Sequence, residues 1–327
     1  MKKTETGHSK LLMISRRNVI WLVLFAEAVF LTAASHGTFV SANNLVNILR
    51  QVSYYGIATV GMTFVILTGG IDLSIGSIVT LVNMLCAVIM VNLGMNMWVA
   101  IILSLLASAA VGALNAFMVS QVKMPALIAT YAAQIVVEGL AFMMTNGRPV
   151  SGFLKTNPEM GFFARWTVGG IPICALIMAA CFLLGWFILN KTYFGRYIYA
   201  IGGNEEASRL SGISVNKMKY LVYILSALFA GLAGIVLLSR SGSAQTTVGK
   251  GFEFDVITCV VLGGVSVKGG TGRISGVIAG TLIIGMLTNG MILLDVSEYT
   301  QMVIKGIVLA VAVGIDCLSA VRKRQSN

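Results

Sequence analysis

The sequence predicts an all-α polytopic membrane protein of about ten transmembrane helices, some of them broken or re-entrant, with both termini cytoplasmic. Three observations carry that expectation: the chain is apolar and poor in charge, runs of membrane-crossing length follow one another along it, and basic residues collect in alternate connections. Hydrophobic residues make up 57% of the 327 and charged residues 11%, against about 25% charged in soluble domains. The remaining polar chain cannot clothe a water-soluble core, so residues 1–327 read as a single transmembrane domain.

A helix needs about 17–25 largely apolar residues to cross a hydrocarbon core about 30 Å thick. In order, such runs lie at 18–34, 45–69, 73–92, 97–119, 126–145, 171–189, 219–239, 274–294 and 300–318. A further run at 255–266 is too short to cross alone and reads as a broken helix, completed by the turn holding Gly263, Gly264, Gly269, Gly270 and Gly272. Non-helical backbone survives at membrane depth only where protein or a water-filled cavity covers it, so a half-helix points to a pathway. Gly276 and Gly280 in the next span have the spacing of a close helix contact. One echo joins the two halves: VILTGGIDLS at 65–74 and VVLGGVSVK at 260–268. Repeated broken helices are a transporter pattern, although this echo is too short to define a symmetry axis.

Orientation follows from charge. With the N-terminus inside, sixteen of the 23 lysines and arginines fall on the cytoplasmic side, among them Lys2, Lys3, Lys10, Arg16, Arg17, Lys123, those of 190–219, and Arg322, Lys323 and Arg324. Arg50, Arg148, Lys155, Arg165, Arg240 and Lys250 fall outside, and Lys305 lies within the last span. This positive-inside asymmetry places tails 1–17 and 319–327 and loop 190–219 in the cytoplasm, with loop 146–170 outside. The formal charge of +11 is then a topological signal, with no basic and aromatic cluster of a nucleic-acid reader. Ala33, Ala34 and Ser35 after a basic, apolar start imitate a secretory signal. Glu27 interrupts that run, and losing the span would reverse the parity of the rest, so it is expected to stay.

Chemistry-bearing motifs are absent. No phosphate-binding Gly-x-x-x-x-Gly-Lys-Ser/Thr loop occurs, so ATP is not expected to bind by that route. His8 and His36 are the only histidines, which removes a Ser-His-Asp hydrolase and a histidine-ligated metal enzyme. No catalytic residue and no metal site is assigned. Cys86, Cys174, Cys181, Cys259 and Cys317 all lie in spans without metal-ligand spacing, and are expected to be small buried hydrophobes.

What remains is polar residues inside apolar helices, where an ionised group costs about 2.5–3.5 kcal/mol at mid-span. Thr130, Gln134 and Glu138 recur every four residues on one face of the fifth span, a stripe expected to face away from lipid. Asn83, Asn115 and Asn289 add uncharged hydrogen-bonding groups suited to a polyhydroxylated neutral solute, or to gluing helices together. Asp72 follows Gly69 and Gly70 and is placed to cap the segment that opens at Leu73, as a structural cap or as a gate beside a pathway. Glu27 and Lys305 are candidates to pair with each other or to snorkel. The loop 146–170, with Pro149 and Pro158, is long enough to receive a partner or merely to connect.

Residues 190–219 form a long polar stretch that carries a recognisable helix. Asn204 is its N-cap, Glu205 and Glu206 sit where the helix dipole favours negative charge, and Gly212 stops it. A short capped helix standing in water between membrane spans reads as a handle for a partner.

The runs from Phe39 to Ser77, from Gly195 to Lys219 and from Val261 to Val313 make the chain similar to the ribose-type monosaccharide ABC importer permeases, over nearly everything after residue 38. GGIDLSIGS and IGGNEEASRLSGI carry this resemblance together. It implies two permease copies, identical or paired, in the cytoplasmic membrane lipid. It further implies a periplasmic or lipid-anchored sugar-binding protein outside and a separate ATPase subunit that binds ATP and magnesium, this chain binding none. Glu206, Ala207, Ser208, Arg209, Leu210 and Gly212 resemble the Glu-Ala-Ala-x-x-x-Gly coupling element of ABC permeases, with Ser208 in place of the second alanine. The rival class is an ion-coupled secondary sugar transporter using Asp72, Glu138 and Lys305 as a relay.

Overall fold

A computed structural model describes residues 5–325, with side chains from 19 to 318. Lys2 and Lys3 lie outside the described residues, as do the side chains of His8, Lys10, Arg16, Arg17, Arg322, Lys323 and Arg324.

The chain is helical nearly throughout. Helix α1 (Glu5–Ala34) leads through a 3-10 turn to α2 (Ala42–Leu67), α3 (Ile75–Val91), α4 (Met97–Ser120) and α5 (Ala126–Met143). The connection that follows holds β1 (Val150–Ser151), α6 (Phe153–Thr156), a 3-10 turn (Pro158–Phe163), β2 (Thr167–Val168) and β3 (Ile171–Pro172). Then come α7 (Ile173–Lys191), α8 (Tyr193–Gly203), α9 (Glu205–Leu210), α10 (Val215–Ser241), β4 (Ser243–Ala244), α11 (Phe252–Leu262), α12 (Ile274–Leu293) and α13 (Glu298–Gln325).

Among the described residues six helices, α4, α5, α7, α10, α12 and α13, are long and apolar enough to cross a membrane, and α3 and Val19–Ala34 within α1 are shorter apolar stretches. Two boundaries differ from the sequence expectation. Helix α1 already begins at Glu5 and α13 runs on to Gln325, so helix continues through much of what reads as tail. Helix α8 was also not expected: its apolar residues are spaced for a helix lying on a surface, burying Gly195, Ile198 and Ile201 while Tyr193 stays exposed.

The core is built on α2 and α10. Helix α2 is buried on every side from Gln51 to Leu67, and α10 packs along α2, α3 and α4. Close approach depends on missing side chains: a Cβ on Gly61 would meet the Ser226 backbone at 2.7 Å, and one on Gly112 the Tyr223 carbonyl at 2.7 Å. Helix α12 packs on α1, α2 and α11, α5 on α3 and α4, and α13 on α11. Phe25 and Phe30 of α1, Leu183 and Phe187 of α7, and Val303, Ile307 and Val311 of α13 remain exposed, the apolar rim of a lipid-facing bundle.

The connection between α5 and α7 is pinned across one end of the bundle. Strand β1 pairs antiparallel with β4, Val150 opposite Ala244. Ser239 Oγ, at the end of α10, accepts from the Ala164 amide and donates to the Met160 carbonyl. Asn157 Oδ1 accepts from the Met97 amide at the start of α4.

Two sequence expectations need correcting. Cys86, Cys174, Cys181 and Cys259 are buried, but Cys317 is exposed, because its face of α13 has no neighbour. Lys305 does not pair with Glu27: its ammonium is held by Asp255 at 2.7 Å, and both Glu27 oxygens are buried without a hydrogen-bond partner.

Asn289 joins Asn44 in a reciprocal amide pair, at 3.0 and 3.2 Å, that ties α12 to the start of α2. Removing one partner strands the other, so Asn289→Leu should cost about 1 kcal/mol. A thermal-unfolding midpoint in detergent is expected to fall for either single leucine variant and to recover in the Asn44→Leu/Asn289→Leu pair.

Candidate functional site

Two polar groups occupy the interior, one near each end of the bundle. The first is built on the opening turn of α11. Gly251, at φ 78°, reverses the chain, and Phe252, Glu253 and Asp255 follow as the first turn of an eleven-residue helix. Exposed amides at a helix start favour acidic side chains, which helps hold two carboxylates where burial opposes them.

The two carboxylates face different ways. Glu253 Oε1 accepts from Gln134 Nε2 at 3.1 Å, and the same nitrogen lies 3.4 Å from Glu138 Oε1. Glu253 Oε2 is buried and unpartnered, in space left by Gly76 of α3. Asp255 Oδ2 accepts from Lys305 Nζ at 2.7 Å and from the Tyr55 hydroxyl at 3.1 Å. Beside them Tyr54, Tyr55 and Phe252 cluster, Tyr55 stacking on Phe252 at 5.2 Å and 14°. Stacked rings beside hydroxyl, amide and carboxylate groups suit a polyol, which offers C–H faces and hydroxyls.

Gln134 and Glu138 thus belong to this group, whereas Thr130 does not. Thr130 Oγ1 accepts from the Leu73 amide at 3.0 Å and holds the turn before α3. Glu253, Asp255, Tyr54 and Tyr55 were not singled out from sequence, because the run was read as opening at residue 255 and Glu253 fell in a connection. The signal was there: two acids within four residues of Gly251, directly before an apolar run.

The second group sits where α2 hands over to α3. Asp72 is fully buried, and its Oδ1 accepts from the Ser74 amide at 3.0 Å and from the Ser74 hydroxyl at 2.6 Å, while Oδ2 accepts from Ser226. The expected cap takes a different form: Asp72 opens an Asx turn that ends at Ser74, the N-cap residue of the helix, which itself makes no side-chain capping bond. Asn115 Nδ2 donates to Ser74 Oγ at 2.7 Å. Asn83 lies apart, donating to the Gly234 carbonyl at 3.4 Å, and Asn289 is occupied by Asn44.

Three glycine segments interlock at this same end. The Gly270 amide donates to the Leu67 carbonyl at 2.9 Å, across from the turn after α11 to the end of α2. Gly69 and Gly202 leave the space in which Gly269 and Gly270 lie, and a Cβ at any of the last three would meet backbone. The two echoing segments are these two turns, each following a helix that ends at paired glycines.

Helix α9 grows directly out of this junction. Asn204 Oδ1 accepts from the Ala207 amide at 2.9 Å, and Gly212, at φ 84°, terminates it. Ser208 is its buried residue, while Leu210 is 82% exposed with nothing covering it. Glu205 reaches Lys219 of α10 at 2.7 Å and Arg209 at 3.2 Å, and Arg209 lies 3.8 Å from Glu206. A cavity of about 230 Å³, lined by Gly69, Gly70, Lys123, Glu205, Lys219 and Tyr223 among others, separates α9 from the Asp72 turn.

A family profile described as branched-chain amino acid transport system, permease component, matches residues 44–313. The chain is 45% identical over 306 residues to the ribose import permease protein RbsC of Escherichia coli K12, covering 93% of this chain and 94% of that protein. It is 46% identical to RbsC of Bacillus subtilis 168 over 288 residues, 88% and 89% of the two chains. It is 37% identical to the L-arabinose transport system permease protein AraH of Escherichia coli K12 over 303 residues, 93% and 91%. No solved structure matches.

Breaking a buried ion pair by removing one partner costs about 3 kcal/mol, because the other charge is left uncompensated. Lys305→Met should therefore lower the unfolding midpoint more than Lys305→Met/Asp255→Asn does. A second expectation concerns Glu205. Burial pushes its carboxyl up, but the Lys219 hydrogen bond and charge, with Arg209 and Lys123 behind them, hold it below 4.5. The stability of the α9 contact is therefore fully present above pH 4.5 and is lost as pH falls through the lowered value. A spin label at Ser211 should report constant mobility from neutral pH to 4.5 and greater mobility below, and Glu205→Gln should remove that transition.

Proposed function

The chain belongs to the branched-chain amino acid transport system permease family, and we infer that it is the membrane permease of a sugar ABC importer, carrying a ribose-like pentose into the cytoplasm. The identity to ribose import permeases along more than nine-tenths of the chain carries this reading. A permease of this kind is multi-pass in the cytoplasmic membrane, and works with an ATPase subunit and a sugar-binding protein.

The finer assignment is our own. Ten crossings (α1, α2, α3, α4, α5, α7, α10, the α11 half-helix with its turn, α12 and α13) put both termini, α8 and α9 in the cytoplasm and the α5–α7 connection outside, in keeping with the distribution of basic residues. The ATPase, holding ATP and magnesium, docks on α9, with Glu205, Glu206, Arg209 and Leu210 offered to it. The permease works as one of two copies, and binds no nucleotide itself.

Movement of α9 reaches the pathway by two routes. Lys219 passes it to α10, which runs the depth of the bundle, and Gly202 passes it to the interlocked turns that end α2 and α11. Tilting α11 would move Glu253 and Asp255 relative to Gln134 and Tyr55, opening the polar group to a sugar from outside, and hydrolysis would reset it. An ion-coupled relay is less well supported, because Lys305 is engaged with Asp255 while Asp72 is bonded to two serines in a separate group.

Proteoliposomes holding the permease with its ATPase and binding protein should accumulate labelled ribose or a related pentose on ATP. The permease alone, with or without an ion gradient, should accumulate none, and uptake on a gradient alone would overturn the assignment. Gly212→Leu, which forces a branched side chain into φ 84°, should cut uptake about tenfold or more while ATP hydrolysis continues. Undiminished uptake would remove α9 from the coupling role.

A further inference from the structure

The cavity between α9, α10, the turn after α2 and the entry to α5 holds more binding chemistry than its own walls use. Its volume of about 230 Å³ falls below the roughly 300–1,000 Å³ of pockets for drug-sized ligands, so an occupant must be small. Two ammonium groups line it. Lys219 Nζ is paired with Glu205 at 2.7 Å, whereas Lys123 Nζ meets only the Asn216 side-chain oxygen, at 3.2 Å, with no carboxylate in ion-pair distance among the described residues. Lys123 also sits at φ 64°, where glycine or asparagine is usual. The eighteen-residue α5 opens at the same wall: Ala126, its first residue, lines the cavity, and no side chain caps its first turn, so the positive end of its dipole is unanswered. An independent sign of a missing ligand comes from α10. Tyr223 is 1% exposed, and its hydroxyl stands at the cavity wall beside Gly70, where a Cβ would come within 2.8 Å of it, without any hydrogen-bond partner. A buried hydroxyl left unmade is costly, and here it lies beside an unpaired cation and an uncapped helix.

We propose that this cavity binds a small sugar phosphate from the cytosol and that its occupancy brakes import; the braking role rests on the importer reading above. The phosphate goes to Lys123 and the start of α5, where positive charge is unanswered, because two ammonium groups and a helix N-terminus together suit a dianion. Glu205 repels a bare anion on its own side of the cavity and accepts from hydroxyls instead. With the orphan hydroxyl of Tyr223 it takes the sugar end, so neither free phosphate nor free sugar satisfies the whole site. Such a ligand ties the entry to α5 and the wall of α10 to α9. It thereby favours the arrangement in which it binds, and resists the movement of α9 that import requires.

The full chain in phosphatidylcholine nanodiscs is titrated with ribose 5-phosphate, and separately with ribose and with inorganic phosphate. Ribose 5-phosphate should raise the unfolding midpoint saturably, with affinity about tenfold or more above that of either control, and K123Q should weaken it about tenfold. Y223F should weaken it about threefold or more while its own midpoint without ligand holds or rises, since it removes only an unpartnered hydroxyl; a merely structural tyrosine would leave affinity unchanged. In proteoliposomes of the complete transporter, ribose 5-phosphate on the ATPase side should lower sugar uptake, and K123Q should relieve that inhibition. Absence of uptake by the wild-type complex counts against the importer reading alone, because the titration needs no transport. No saturable binding, equal affinity for inorganic phosphate, or affinity unchanged in both K123Q and Y223F would overturn the proposal. So would stabilisation supplied equally by phosphatidylglycerol in the nanodisc, which assigns the site to a lipid headgroup. Binding that leaves uptake unaltered would overturn the braking role.

Discussion

Backbone that leaves the helix within an apolar slab must find its hydrogen bonds inside the protein, and the rest of this architecture follows from where it does so. Helix α11 is only eleven residues long, and the chain beyond it turns through Gly263, Gly264, Gly269, Gly270 and Gly272. That turn is covered by two other irregular segments, the end of α2 and the end of α8, through the Gly270–Leu67 hydrogen bond and the contact with Gly202. Three weak points in separate parts of the chain thereby become one junction. Because α9 begins three residues after Gly202, the surface helix is mechanically continuous with the two turns that position the interior polar groups.

Charge inside the bundle is costly to disturb where the aromatic cluster lies: one carboxylate there is ion-paired and another is held by an amide. Asp255 and Lys305 cancel, Tyr55 satisfies a further lone pair, and Glu253 is shared with Gln134 at the start of a helix. Such a group places hydrogen-bonding side chains and ring faces side by side. At the end of the bundle opposite α9, Arg50, Arg165 and Arg240 stand together with no carboxylate paired to them among the described residues.

Much of this was open to inspection in the chain. Low charge and long apolar runs determine a helical membrane bundle because no other structure satisfies the backbone in lipid, and Asn204 and Gly212 mark α9 because capping and left-handed termination are local. Long-range pairing was not open in the same way. Lys305 was one candidate partner for Glu27 because both stand out as charges in apolar runs, yet Asp255 holds Lys305, and spacing along a chain says nothing about which helices become neighbours. Asn289 read like Asn83 and Asn115, but only packing shows that Asn44 takes up its amide. The echoing glycine segments pointed to two broken helices. That they lock against each other under α8, and that three distant arginines meet around one cavity, was decided by the packing of α2 against α10 and α12, because contacts between helices are set by the shapes of whole faces.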